Sequence, residues 1–321
     1  MGTGRRRAAS LTDYIALARL DHAPKQIFIA PGVMLAYLLR GAASKQLALE
    51  IVLGVLTSVC VASANYVINE YLDRDFDRYH PTKSQRRAVQ CQVRAPAIVS
   101  EWAAFLTIGL ASALAANVTM FLIACVFALQ GLIYNVPPLR TKDKPYLDVL
   151  SESINNPLRL MIGWAMVDPA TLPPSSILLA YWLGGAFLMA AKRYSEFREI
   201  VATHGRDLLV RYRASFAGYS EISLNVSCFV YGLLSTFFLA VFLIKYRVEY
   251  LLLMPAVIAL FGRYMVLAMR HHSSVQSPEK LFREPELMSL IGLLAALFVL
   301  TTWVDIPALA VLSEQRFISI R

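Results

Sequence analysis

The residues best equipped for chemistry form one run, Asn69-Glu70-Tyr71-Leu72-Asp73-Arg74-Asp75-Phe76-Asp77-Arg78-Tyr79-His80-Pro81-Thr82-Lys83. Asn69, Asp73 and Asp77 recur at i, i+4 and i+8, which places them on one helical face with Glu70 beside them. Two unit charges about 6 Å apart cost roughly 3 kcal/mol at an effective dielectric of ~20, so such a face needs a cation. Arg74 and Arg78, interleaved in the same turns, would make it a solvated charged helix end. Mg²⁺, which favours carboxylates together with phosphate oxygens, is the alternative. Pro81 disfavours helix at His80, so the helix should stop there and turn His80, Lys83, Arg86 and Arg87 back over the same mouth.

A second polar stretch follows, Tyr134-Asn135-Val136-Pro137-Pro138-Leu139-Arg140-Thr141-Lys142-Asp143-Lys144-Pro145-Tyr146-Leu147-Asp148. Its prolines break the helix and leave a basic loop. Beyond it Asp148, Glu152, Asn155 and Arg159 recur at i, i+4, i+7 and i+11, a single helical stripe. The stripe reads either as an Arg-carboxylate staple between helices or as the lining of a wet cavity, since polar groups facing lipid are costly. A third cluster is Lys192-Arg193-Tyr194-Ser195-Glu196-Phe197, in which Lys192 and Glu196 also fit a plain i, i+4 pair. Carboxylates for a divalent ion and Lys/Arg for phosphate oxygens are the parts of diphosphate chemistry. No Ser/His/Asp arrangement, glycine-rich phosphate loop or H-E-x-x-H motif competes with that reading. The five histidines are scattered, and Cys60, Cys91, Cys125 and Cys228 show no C-x-x-C spacing, which supports neither a zinc site nor a disulfide framework.

The elements that must carry these residues are membrane helices. The 321-residue chain is 57% hydrophobic and only 17% charged, and soluble domains carry about 25% charge. That excludes a soluble nucleic-acid-binding reading of the net charge of +9. Charge-free runs cover Ile51 to Asn69, Trp102 to Leu139, Ala170 to Ala191, Ile222 to Ile244 and Leu287 to Val304. The second of these is too long for one span of ~30 Å and should turn near Asn117. Ile27 to Leu39, Leu147 to Val167 and Tyr250 to Met269 are weaker candidates, the last two carrying Arg159 and Arg263. The expectation is one all-α transmembrane domain over 1–321 with about nine spans.

Orientation follows from charge. With the amino terminus inside, 23 of the 31 Lys and Arg fall on the cytoplasmic side, chiefly in the segment before the first span and in loops 70–96, 137–146, 192–215 and 270–286. The positive-inside bias favours that topology. Most of the basic surplus is therefore topology and attraction to anionic lipid. Polar material gathered on one face points to work done there, whereas a transporter should show paired repeats and broken helices at the midplane.

The run N-E-x-x-D-x-x-x-D from Asn69 to Asp77 resembles the first aspartate-rich motif of the UbiA superfamily of intramembrane prenyltransferases, and Asp148-x-x-x-Glu152 resembles a relaxed form of the second. The likeness covers roughly Arg19 to Tyr219. Three features are similar to the decaprenyl-phosphate phosphoribosyltransferase branch: the tail Asp77-x-x-His80-Pro81-Thr82-Lys83-x-x-Arg86, the Lys192-Arg193-Tyr194 cluster followed by Arg211-x-Arg213-x-Ser215, and Arg19 with Lys25 ahead of the first span. Glu70 and Glu152 depart from the usual Asp, and Arg87 stands where the branch usually has Pro.

The resemblance implies helices ringed around a central polar cavity and Mg²⁺ held by Asn69, Glu70, Asp73 and Asp77. It implies transfer of phosphoribose from phosphoribosyl diphosphate to a polyprenyl phosphate in a bacterial inner membrane, without nucleic acid. Asp73, Asp77 and Lys83 would be the catalytic residues. Lys25, His80, Arg86, Arg140, Lys142, Asp148, Glu152, Asn155, Lys192, Arg193 and Tyr194 would bind the substrates. Two alternatives are an ordinary UbiA-type prenyltransferase acting on an aromatic acceptor and a non-catalytic lipid-phosphate carrier.

Overall fold

The computed structural model describes residues 7–41, 46–270, 273–276, 281–309 and 311, with the backbone alone at Pro24 and Lys25. The described chain is nearly all helical. Its elements are β1 (Arg7–Ala8), α1 (Leu11–Leu17), a 3-10 stretch Leu20–Ile29, α2 (Ala30–Arg40), α3 (Leu47–Asp77), α4 (Arg87–Gln90), β2 (Cys91–Gln92), α5 (Ala95–Ala116), α6 (Val118–Asn135), α7 (Leu147–Ser153), α8 (Asn155–Ala165), α9 (Ser175–His204), α10 (Arg206–Tyr212), α11 (Glu221–Tyr246), α12 (Met254–Met269) and α13 (Pro285–Trp303). The two short strands pair in parallel, Arg7 opposite Cys91.

Among the described residues seven helices are long and apolar enough to cross a membrane: α3, α5, α6, α9, α11, Val248–Met269 and α13. A shorter apolar helix covers Gln26–Arg40. The protein is an integral membrane protein, and the outer face of α11 shows why. Ile222, Val226, Phe229, Leu233 and Phe237 recur at helical spacing and stand exposed, an arrangement stable only against lipid.

The turn expected inside Trp102 to Leu139 falls at Asn117, whose side chain accepts the Met120 N–H at 2.8 Å and caps α6. The segment Leu147 to Val167, expected as one span, is instead two helices, α7 and α8, with Ile154 between them. Pro157 is the physical reason, because it offers no N–H to the Ser153 carbonyl and its ring crowds that carbonyl. The stripe of Asp148, Glu152, Asn155 and Arg159 crosses this junction, where Ile154 keeps helical dihedrals of φ −58° and ψ −24°.

The chain forms two compact units, residues 1–173 with 200–219, and residues 174–199 with 220–321. In the first, Val61 and Ala62 of α3, Met120 and Phe127 of α6, and Ile162 and Met166 around α8 share one buried core. Helices α2 and α8 touch backbone to backbone: a Cβ on Gly32 would lie 2.0 Å from the Leu160 carbonyl oxygen, and one on Gly163 2.2 Å from that of Ile29. In the second unit, Ser235 of α11 donates to the Ala180 carbonyl of α9 at 2.9 Å, and Arg263 of α12 pairs with Glu286 of α13 at 2.9 Å. That pairing gives the charge expected to interrupt the Tyr250 to Met269 span a partner.

Candidate functional site

Helix α3 has 31 residues, which at 1.5 Å per residue rise about 46 Å against ~30 Å of hydrocarbon. Its last turns, Asn69 to Asp77, carry the first acidic motif. The helix ends at Asp77, three residues before His80, and the chain then turns through a 3-10 segment at Lys83–Gln85 into α4. Glu70 and Asp77 are each only 4% exposed. One guanidinium serves both: Arg86 Nη1 lies 3.0 Å from Glu70 Oε1 and 2.8 Å from Asp77 Oδ2. Arg19 Nη1 reaches the same Glu70 oxygen at 3.4 Å. A cavity of about 200 Å³ opens here, lined in part by Arg19, Asp21, Glu70, Gln85, Arg86 and Arg87.

Asp73, one turn away, is held by the basic loop that follows α6. Arg140 Nη2 lies 2.9 Å and Lys142 Nζ 2.5 Å from Asp73 Oδ1. Arg140 also donates to Asp143 at 2.6 Å and to the Asn135 carbonyl at 3.1 Å. Asn135, the last residue of α6, ties the pieces together. Its Oδ1 accepts from Asn69 at 2.5 Å and from Lys142 at 2.9 Å, and its amide donates to the Gly131 carbonyl at 2.9 Å. Burial pushes the Lys142 ammonium down to about 8, against the opposing pull of Asp73.

The interleaved arginines are not the cations recorded on this face. Arg74 stacks over the Tyr71 ring at 3.9 Å and Arg78 over Tyr79 at 4.8 Å. Adjacent helix positions diverge by about 100°, so neighbours in sequence do not face each other, and the cations come from loops instead. His80 has a local role: its Nδ1 accepts the Thr82 and Lys83 backbone N–H groups at 3.2 and 3.3 Å. Its ring meets Tyr212 edge-on at 4.5 Å, and Lys83 Nζ lies 5.6 Å from that same ring.

The second acidic region is built differently. Asp148 is fully buried. Tyr219 Oη donates to its Oδ1 at 2.7 Å, Ser215 Oγ donates to its Oδ2 at 3.0 Å, and Arg213 Nη1 lies 3.5 Å away. Glu152 accepts from Tyr134 Oη at 2.7 Å. Arg159 donates to Gln26 Oε1 at 2.8 Å, where Ser58 also donates, and packs over Phe127. The Asn155 side-chain oxygen is buried without a hydrogen-bond partner.

The structure thus brings Asn69, Glu70, Asp73, Asp77, Arg86, Arg140 and Lys142 together. Lys192, Arg193 and Tyr194 belong to the second unit, where Arg193 pairs with Glu196 at 3.3 Å and Tyr194 Oη donates to Glu221 at 3.4 Å. The Lys25 side chain lies outside the described residues. Sequence reasoning missed Asn135, Ser215 and Tyr219 as site residues. No set of three His, Cys, Asp or Glu side chains converges as a metal cage among the described residues. Two carboxylates a turn apart still suit Mg²⁺, which takes one or two protein carboxylates and completes its shell with water and substrate phosphates.

These features define a class. The chain belongs to the UbiA prenyltransferase family, whose pattern matches residues 27–291. A decaprenyl-phosphate phosphoribosyltransferase of Mycolicibacterium smegmatis is 28% identical over 179 residues, 54% of each chain, so the match spans about half the length of that relative. A solved UbiA homologue from Archaeoglobus fulgidus bound to GPP and Mg²⁺ superposes with a TM-score of 0.65 at 21% identity, covering 91% of this chain and all of that one. A structure of digeranylgeranylglyceryl phosphate synthase gives 0.58 at 16% identity, over 94% and 96% of the two chains. At these identities the structural likeness establishes the fold.

Proposed function

We propose that this chain moves 5-phosphoribose from phosphoribosyl diphosphate to a polyprenyl phosphate, releasing diphosphate. The observation that carries the reading is the interlock of acids with loop cations, Glu70 and Asp77 with Arg86 and Asp73 with Arg140 and Lys142. Phosphoribosyl diphosphate and a lipid phosphate together bring a diphosphate and two further phosphate groups. An allylic diphosphate with an aromatic acceptor brings only one diphosphate and needs fewer cations. The relative from Mycolicibacterium smegmatis supports the same choice.

Asn69, Glu70, Asp73 and Asp77 would hold Mg²⁺. When bound there, the ion would supply charge neutralisation to the departing diphosphate. Arg86, Arg140 and Lys142, relieved of the carboxylates, would turn to phosphate oxygens and stabilise the charge that grows on the leaving group. The C1–O bond of the ribose breaks and a phosphate oxygen of the lipid forms the new bond. That oxygen is already ionised near pH 7, so no general base is needed, and the local role of His80 agrees with this. Lys83, Lys192, Arg193 and Tyr194 remain phosphate-binding candidates in this reading, and Glu152 and Asn155 ribose-binding ones. The nine-span count, a lateral groove for the isoprenoid and cytoplasmic placement of the loops belong to the same proposal, the last from the Lys/Arg bias.

The A. fulgidus neighbour bound to GPP favours a second reading, prenyl transfer from an allylic diphosphate. Purified protein with Mg²⁺, radiolabelled phosphoribosyl diphosphate and polyprenyl phosphate should yield labelled lipid and diphosphate. Diphosphate released only from an allylic donor would replace the first reading by the second, and release from neither would leave a lipid-phosphate carrier.

A further inference from the structure

We infer that Asp148 is a positioning residue, which clamps the 213–219 segment to the start of α7 and thereby sets the turn that delivers Arg140 and Lys142 to Asp73. Both Asp148 oxygens accept from hydroxyls, Tyr219 Oη at 2.7 Å and Ser215 Oγ at 3.0 Å, Arg213 Nη1 lies 3.5 Å from the second oxygen, and none of the Asp148 surface reaches solvent. Ser215 is likewise fully buried and Tyr219 is 2% exposed. This carboxylate is committed inward, unlike those of α3.

Tyr219 passes the constraint on. Its Oη, while donating to Asp148, accepts the backbone N–H of Tyr146 at 2.6 Å. Tyr146 sits at φ 65° and ψ −41°, a strained γ-turn closed by the Leu147 N–H on the Pro145 carbonyl at 2.8 Å, which a side-chain-bearing residue adopts only when its surroundings enforce it. The Tyr146 and Tyr219 rings also meet edge-on at 5.2 Å. Gly218 completes the grip, because a Cβ there would lie 2.4 Å from Pro145 Cγ. Pro145 and Tyr146 end the loop that begins at Arg140, and the Asp148 N–H closes that turn on the Lys144 carbonyl at 3.0 Å. The chain of contacts runs from Asp148 through Tyr219 to Tyr146, and along a few residues of backbone to the two cations on Asp73.

Substitutions separate this role from metal or ribose binding. In D148N the amide oxygen can still accept from Tyr219 and its NH₂ can donate to Ser215, so the hydroxyl clamp is largely kept while the charge that faces Arg213 at 3.5 Å, and that a metal ligand needs, is lost. D148A and Y219F break the relay. In full-length protein purified in detergent, hydrogen exchange at the Tyr146 amide should speed up about tenfold or more in Y219F and D148A and stay near wild type in D148N, a tenfold change matching one lost hydrogen bond. This arm is independent of any substrate. The kinetic arm rests on the proposed reaction: Y219F and D148A should raise KM for phosphoribosyl diphosphate about tenfold, with the Mg²⁺ half-saturation unchanged and D148N within about threefold of wild type. Unchanged exchange in Y219F would overturn the inference, as would a D148N as impaired as D148A with a raised Mg²⁺ requirement. If the wild type turns over no phosphoribosyl diphosphate, the proposed reaction fails and the exchange result still decides the role of Asp148. Y219F keeps the inference testable should D148A fail to fold.

Discussion

The two acidic regions look alike in sequence and are held in different ways. At the end of α3, Glu70, Asp73 and Asp77 are gripped by long cationic side chains from loops, partners that can exchange a carboxylate for a phosphate without unfolding anything. At the start of α7, Asp148 is gripped by two buried hydroxyls with Arg213 3.5 Å away, and exchanging it would unseat a segment of chain. Burial does not distinguish them, since Glu70 and Asp77 are nearly as buried as Asp148. The partners do: among the described residues the α3 carboxylates face loop cations alone, whereas Asp148 has two buried hydroxyls beside a cation.

The largest effect should come from the first region. D73N and D77N are each expected to cost about 100-fold or more in kcat, the scale seen for a lost electrostatic contact to a transition state, while the protein stays monodisperse in detergent. Turnover within a fewfold of wild type would show that the first region is structural too. K142A should raise KM for the donor about tenfold, the worth of one charge-assisted hydrogen bond, with a smaller change in kcat.

A third effect is read from pH. Burial lowers the Lys142 ammonium to about 8, so the charge is present below that value and lost above it. Donor affinity should therefore fall as pH rises through about 8, and K142R, whose guanidinium stays charged, should remove that limb from the profile. A profile identical in wild type and K142R would separate Lys142 from donor binding. The smallest effect is expected from Y134F, which takes one neutral donor from Glu152 and should change kcat/KM only a fewfold.

How much of this was readable in advance depended on distance along the chain. The acidic face of α3, the turn at Asn117 and the membrane class all rest on local spacing, and local spacing survives folding. Arg86 on Glu70 and Asp77 followed from the turn expected at Pro81, but the pairing of Asp73 did not, because Arg140 and Lys142 lie some seventy residues away and the nearer Arg74 points elsewhere. Asn135 was hidden by its neutrality, although it accepts from both Asn69 and Lys142. The stripe from Asp148 to Arg159 crosses a junction at Ile154 that periodicity alone does not show and that Pro157 explains. In the third cluster Arg193 pairs with Glu196 at i, i+3, a contact that spacing also permits.

The length of α3 carries a last consequence. Because the helix outruns the hydrocarbon by about 16 Å, its acidic end stands where water meets headgroups, and the two proposed substrates would arrive there from phases of different dimension. The soluble donor would be counted per litre, but the lipid acceptor would be counted per unit of surface. Extra detergent at constant total acceptor should then slow the reaction by surface dilution alone, and a rate restored by raising the acceptor's mole fraction would show that the lipid is drawn from the plane of the membrane.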